Sequence, residues 1–194
     1  MPQKKVRARR VPRPNATLLC SRLALDFARK LPEFAHVRAG RILFVAGEAR
    51  RGSRASIRAL GAKGIPEVLL HGRRALYSIT LRPRFFRSST PEERVATLLH
   101  ELLHIDARFD GTLSEERRHK HLSKARFEAL LRPLVRRYLA EGDAALLAAL
   151  AHDGEVLARQ WLERPTVRGG RKCYTEKQLF LGPIRMITGR RLDS

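Results

Sequence analysis

The apolar positions of this chain fall into two kinds of period, and each predicts a different element. Leu19, Leu23 and Phe27 recur every fourth residue behind Asn15, a residue suited to an N-cap, so a helix is expected from Asn15 to about Leu31. The run RILFVA at 41–46 is almost wholly apolar between Gly40 and Gly47 and reads as a buried strand. Two more strands are expected at EVLLH, 67–71, and ALYSITLR, 75–82, around Gly72 and Arg73 as a hairpin. In the second of these, Tyr77, Ile79 and Leu81 alternate with Ser78, Thr80 and Arg82, which places one face in a core and the other in water. The segment between, GEARRGSRASIRALGAKG, is rich in Gly, Ser and Arg and reads as a mobile surface connection.

The second half of the chain has helical period. Thr90 as N-cap, Pro91 at the first helical position and Glu93 completing a capping box predict a helix from Pro91 to about Ile105. After a turn at Asp110 and Gly111, Ser114 with Glu115 and Glu116 opens a second helix expected to reach Leu139. Gly142 and Asp143 separate it from a third, rich in Ala and Leu, to about Leu162. QLFLGPIRMIT closes the pattern as a strand kinked at Gly182 and Pro183. These elements give an α+β fold, with a basic disordered arm at 1–14 and one domain at 15–194.

Charge adds a partner to this picture. Forty Lys and Arg against 19 Asp and Glu leave a formal charge of +21, a field that concentrates polyanions, so DNA or RNA is a natural partner. The candidate contacts are Lys4, Lys5, Arg7, Arg9 and Arg10 of the arm and Arg50 and Arg51 of the loop. The two cysteines, Cys20 and Cys173, lack C-x-x-C spacing and suggest neither a disulfide framework nor a thiolate metal site, which fits a reducing cytoplasm. Arg22 and Asp26 interrupt the apolar run after the arm, so an unprocessed protein is expected. No apolar run is long enough to span a membrane.

Candidate chemistry lies in PEERVATLLHELLHI. His100 and His104 are one helical turn apart and offset by about 40°, so two imidazoles can aim at one ion, as a zinc site on a helix requires. On a helical wheel Val95, Leu98, Leu99, Leu102 and Leu103 cluster in one direction, and the histidines lie about 130 to 170° from its centre. The leucine side should pack on the domain while the histidine side turns to a cleft. Glu101 points about 100° further round, where a carboxylate can reach a water on the ion without ligating the ion. A catalytic zinc takes a third protein ligand. Asp106 and Asp110 lie close to His104 and read as turn residues. His119 falls within about 80° of the apolar face set by Phe127, Leu130, Leu134 and Tyr138 and is the first choice, with His121 as second. His36, His71 and His152 lack ligand spacing and default to structural or surface roles.

HELLHI, preceded by a strand, RFF, a short Ser/Thr cap and PEER, and followed by a loop and RRHKH, resembles the phage-type metallopeptidase family of zincins. The similarity covers roughly residues 17–130, with its specific motifs in 76–121. The resemblance implies a zincin-like fold, in which a small sheet packs on the H-E-x-x-H helix. It also implies one zinc ion on His100, His104 and a later His, with Glu101 as general base. A looser likeness is to SprT-like proteases, which pair a short H-E-x-x-H domain with a distant His and a DNA-binding character.

The expected function is zinc-dependent hydrolysis of polypeptides, with the strand at 75–82 as the sheet edge on which an extended substrate lies. The rival expectation is a nucleic-acid-binding protein that uses the arm, the Arg-rich stretch 48–58 and the Arg-rich segment 164–191, with the metal structural or vestigial.

Overall fold

A computed structural model of the chain describes residues 13–48, 52–60, 66–117, 123–163 and 172–186. The first helix, α1, spans Ala16–Lys30; Asn15 accepts the Leu18 N–H, and Leu23 and Phe27 are fully buried. Strand β1, Ile42–Ala46, is buried at every position, as its unbroken apolar run predicts.

The Gly/Ser/Arg-rich stretch is not merely a connection. Ala55–Ala59 forms strand β2, antiparallel to β5, Tyr77–Leu81, with Ile57 opposite Ile79. On its other side β5 pairs in parallel with β1, so the order is β1-β5-β2. The strand at 75–82 is therefore central, and β1 and β2 are the edges, with β2 the one beside the H-E-x-x-H helix. Composition hid this strand, because one of its faces carries Ser56 and Arg58 and only tertiary pairing gives them partners.

The expected hairpin is half right. Strand β3, Glu67–Leu70, turns at His71 and Gly72 into a two-residue β4, Arg73–Arg74, and the chain then crosses to the other sheet. The Ala75 N–H still binds the Val68 carbonyl, whereas the Leu76 N–H binds that of Arg41, so the crossover falls between them. Both turn residues have positive φ, 50° at His71 and 72° at Gly72.

A short helix α2, Pro83–Arg87, leads to α3, Pro91–Leu103. The capping box between Thr90 and Glu93 is formed on both sides, and Val95, Leu98, Leu99, Leu102 and Leu103 are all buried. Arg94 is buried as well, binding the carbonyls of Leu150 and Phe86, and so ties α3 to its neighbours. Helix α4, Lys124–Glu141, begins at the Ser123 N-cap, later than the expected start at Ser114.

The third helix is much shorter than expected. α5, Ala144–Leu150, stops, and β6, Gly154–Trp161, takes over through Gly154 at φ 107°. Val156 and Ala158 are buried on one face, and β6 pairs along its length with β8, Leu179–Met186. Long-range pairing overrides the local helical preference of the Ala- and Leu-rich sequence. β8 runs in register through Gly182 and Pro183. Pro183 faces Leu157, whose N–H turns away to the Pro14 carbonyl, so the proline costs the ladder no hydrogen bond. Arg13, counted in the basic arm by sequence, pairs with Glu155.

Helices cover one face of the β1-β5-β2 sheet, and a principal core forms there around Leu23, Phe27, Tyr77, Ile79, Leu98 and Leu102. A smaller core on the opposite face joins Leu43 and Val45 to Val68, Leu70 and Tyr174, the last from β7, Cys173–Tyr174. Among the described residues no helix is long and apolar enough to cross a membrane. Cys20 and Cys173 are free, and burial pushes the Cys20 thiol up to about 12, which leaves it chemically inert.

Candidate active site

Because the leucines of α3 face the core, the opposite side of its last turns lines a cleft of about 640 Å3 with Ala96, Thr97, His100, Glu101 and His104. The other wall is β2 with the residues leading into it, and Leu113 and Leu131 close one end. The Nε2 atoms of His100 and His104 lie 3.4 Å apart, with the rings nearly perpendicular at 78°. Phe127 of α4 packs against both imidazoles, at ring-centroid distances of 4.4 Å and 5.1 Å. That support makes His104 more enclosed than the wheel implies, at 8% exposure.

The chain after His104 is strapped back onto the same region. Ile105 bridges Leu113, the Ser114 N–H binds the His104 carbonyl at 2.9 Å, and the Tyr77 hydroxyl donates to the Thr112 carbonyl while accepting the Gly111 N–H. Phe109, at φ 51°, packs on the Tyr77 ring. Thus β5, whose neighbours are two strands, fixes the loop that places Leu113 on the cleft.

Glu101 is 6% exposed and sits between α3 and the sheet edge. Burial pushes its carboxyl up to about 7, against the opposing pull of the Ile57 N–H, which donates to it, and of the Arg82 guanidinium. The β2 register explains the Ile57 contact. The Arg82 N–H donates to the Arg54 carbonyl and the Leu60 N–H to the Leu76 carbonyl, so the alternating pairs at Ala55, Ile57 and Ala59 turn their backbone groups away from β5. Ile57 aims its N–H at the cleft, and Glu101 takes it. At the other end of the cleft Arg54 pairs with Glu93, the capping residue of α3.

His100, Glu101 and His104 are thus brought to one cleft as the helical spacing predicts. His119 and His121 lie outside the described residues, as do Lys4, Lys5, Arg7, Arg9, Arg10, Arg50 and Arg51. Among the described residues no group of three metal-ligating side chains occurs, so His100 and His104 are the pair that could share an ion. His36 lies elsewhere, beside Arg117 and Asp106, and burial lowers its pKa; His71 is exposed next to Glu176. The parts played by Ile57 and Tyr77 emerge only from the structure. Ile57 acts through its backbone, which carries no residue signature. Tyr77 was legible only as an inward position of an alternating strand.

No curated protein and no solved structure matches this chain. A family model described as Putative phage metallopeptidase does match, over residues 19–133, more than half of the chain and all of the cleft from β2 to Leu131. With the H-E-x-x-H residues on one wall of that cleft, the chain belongs to this family of metallopeptidases.

Proposed function

We propose that the protein is a zincin-like peptidase that uses one zinc ion on His100 and His104, with a later histidine, His119 or else His121, as third ligand. The observation that carries this reading is the imidazole spacing. Two nitrogens at about 2.0 to 2.1 Å from one tetrahedral zinc are separated by about 3.3 to 3.4 Å, and the two Nε2 atoms lie 3.4 Å apart. The donor set suits zinc, as neutral imidazole does, and Phe127 holds both rings in place.

A zinc ion bound there would lower the pKa of a water molecule and polarise a peptide carbonyl. Glu101 would accept the proton of the attacking water and return it to the departing amine. A carboxyl raised towards neutrality by burial is matched to both transfers. The substrate would lie extended along β2 instead of β5, because the Ala55 N–H and the Ile57 carbonyl point outward to the cleft, while the Ile57 N–H is held by Glu101 and the Ala55 carbonyl by the Ser53 hydroxyl. Leu113 and Leu131 give one end of the cleft an apolar wall, while Arg54 and Glu93 give the other a charged one.

The test combines metal analysis of the purified protein and of His104→Ala with cleavage of an unfolded polypeptide by wild type and Glu101→Gln. One zinc equivalent lost on His104→Ala and turnover lost on Glu101→Gln are expected. Wild-type protein that binds no metal after zinc loading overturns the proposal.

A further inference from the structure

A second cavity, of about 340 Å3, opens on the face of the β1-β5-β2 sheet away from the helices. It arises from the same alternation that builds the cleft. Ser56 and Arg58 of β2 stand beside Thr80 and Ser78 of β5, so three hydroxyls and a guanidinium share one face. The smaller core covers this face at Leu43, Val45 and Leu60, leaving the polar part between them open. Arg82 closes the floor, 6% exposed, binding the Glu48 carbonyl and the Ser56 hydroxyl. Trp161 of β6 forms the far wall and meets Tyr174 edge-on. Gly47 lets β1 pack closely on Thr80, since a Cβ there would lie 2.2 Å from Thr80 Cγ2.

Fixed hydroxyls, two guanidinium groups and one indole are the groups that recognise a phosphate next to a flat aromatic ring. Arg58 is exposed and has no carboxylate partner among the described residues, so its charge is available to a ligand. The cavity volume suits one small-molecule-sized group, such as a nucleotide unit, and a duplex keeps its bases stacked inside and out of reach of such a wall. Glu48, Leu60 and Trp161 line this cavity, and in the sequence Arg50 and Arg51 follow Glu48, Lys63 follows Leu60, and Arg164, Arg168 and Arg171 follow Trp161 and Glu163.

We propose that this cavity binds single-stranded nucleic acid, with a phosphate at Arg58 and a base against Trp161. The site is separate from the zinc-binding cleft, although β2 forms a wall of both, since Ser56 and Ile57 line each of them.

Trp161 is the only tryptophan of the chain, so its emission reports this site directly. The experiment titrates the full-length protein with a labelled oligothymidylate, following tryptophan emission and oligonucleotide anisotropy together at several salt concentrations. Coincident quenching and binding are expected, with affinity falling as salt rises. Arg58→Glu should weaken binding at least tenfold and lower the salt slope by about one. Trp161→Leu should weaken it roughly five- to a hundredfold, whereas Trp161→Phe retains most of it. Arg132→Glu, on the exposed side of α4, should leave binding within about twofold of wild type, where a diffuse response to the +21 charge would lose as much as Arg58→Glu. Binding without any change in Trp161 emission, equal affinity for a duplex of the same length, or equal quenching by polyglutamate would each overturn the proposal. Zinc content and polypeptide cleavage are measured separately, so failure here is distinct from failure of the peptidase reading.

Discussion

The backbone N–H of Ile57 donates to the carboxylate of Glu101, so the edge strand and the helix carrying H-E-x-x-H meet at the candidate base. This contact joins residues 44 positions apart and depends on which backbone groups of β2 the sheet leaves unused.

Glu101→Gln keeps a carbonyl oxygen for the Ile57 N–H but removes the proton acceptor. Peptide cleavage should fall by about 10²- to 10⁴-fold with zinc content and thermal midpoint nearly unchanged. Steady-state kinetics beside metal analysis decide it; turnover within tenfold of wild type would remove Glu101 from the chemistry.

His100→Ala and His104→Ala should each lose the metal, because two remaining ligands hold zinc weakly. The thermal midpoint of wild type should rise on zinc addition and fall on chelation. At a free zinc concentration about a hundred times the dissociation constant the stabilisation is about 2.7 kcal/mol. The same titration should leave the His104→Ala midpoint unmoved, and a matching rise there would place the metal elsewhere.

Proline separates the two sides of β2. Ile57 turns its N–H outward, so Ile57→Pro should fold while losing the Glu101 contact and peptide cleavage. The N–H of Arg58, on the alternate register, points to β5, so Arg58→Pro should break the ladder and lower the unfolding midpoint substantially more. Circular dichroism melts of the two variants test the order, and the reverse order would contradict the register.

Away from the cleft, the buried Tyr138 hydroxyl donates to Asp26 at 2.8 Å, and the same carboxylate oxygen accepts the Asp143 N–H, so α1, α4 and the start of α5 share one carboxylate. Tyr138→Phe should cost about 1.5 to 3 kcal/mol, the range for a hydrogen bond to a charged group, in urea unfolding. A change under about 0.5 kcal/mol would mean that the Asp143 N–H alone satisfies Asp26.

Local pattern carried much of what this chain is. The period of Leu19, Leu23 and Phe27, the Thr90–Glu93 capping box and the leucine stripe of α3 are short-range features, so their elements form where the sequence places them. The spacing of His100 and His104 is also local, since one helical turn is enough to align two imidazoles. Tertiary structure alone decided that Ala55–Ala59 is an edge strand, that β5 lies between two strands, and that the segment after α5 becomes β6 and not more helix. Those outcomes depend on pairing between residues far apart, whose free energy is absent from any short window of sequence. The same pairing brings Ile57 to Glu101 and sets Arg58 on the cavity that Trp161 also lines, because a strand's two faces and its unused backbone groups have meaning only once its neighbours are in place.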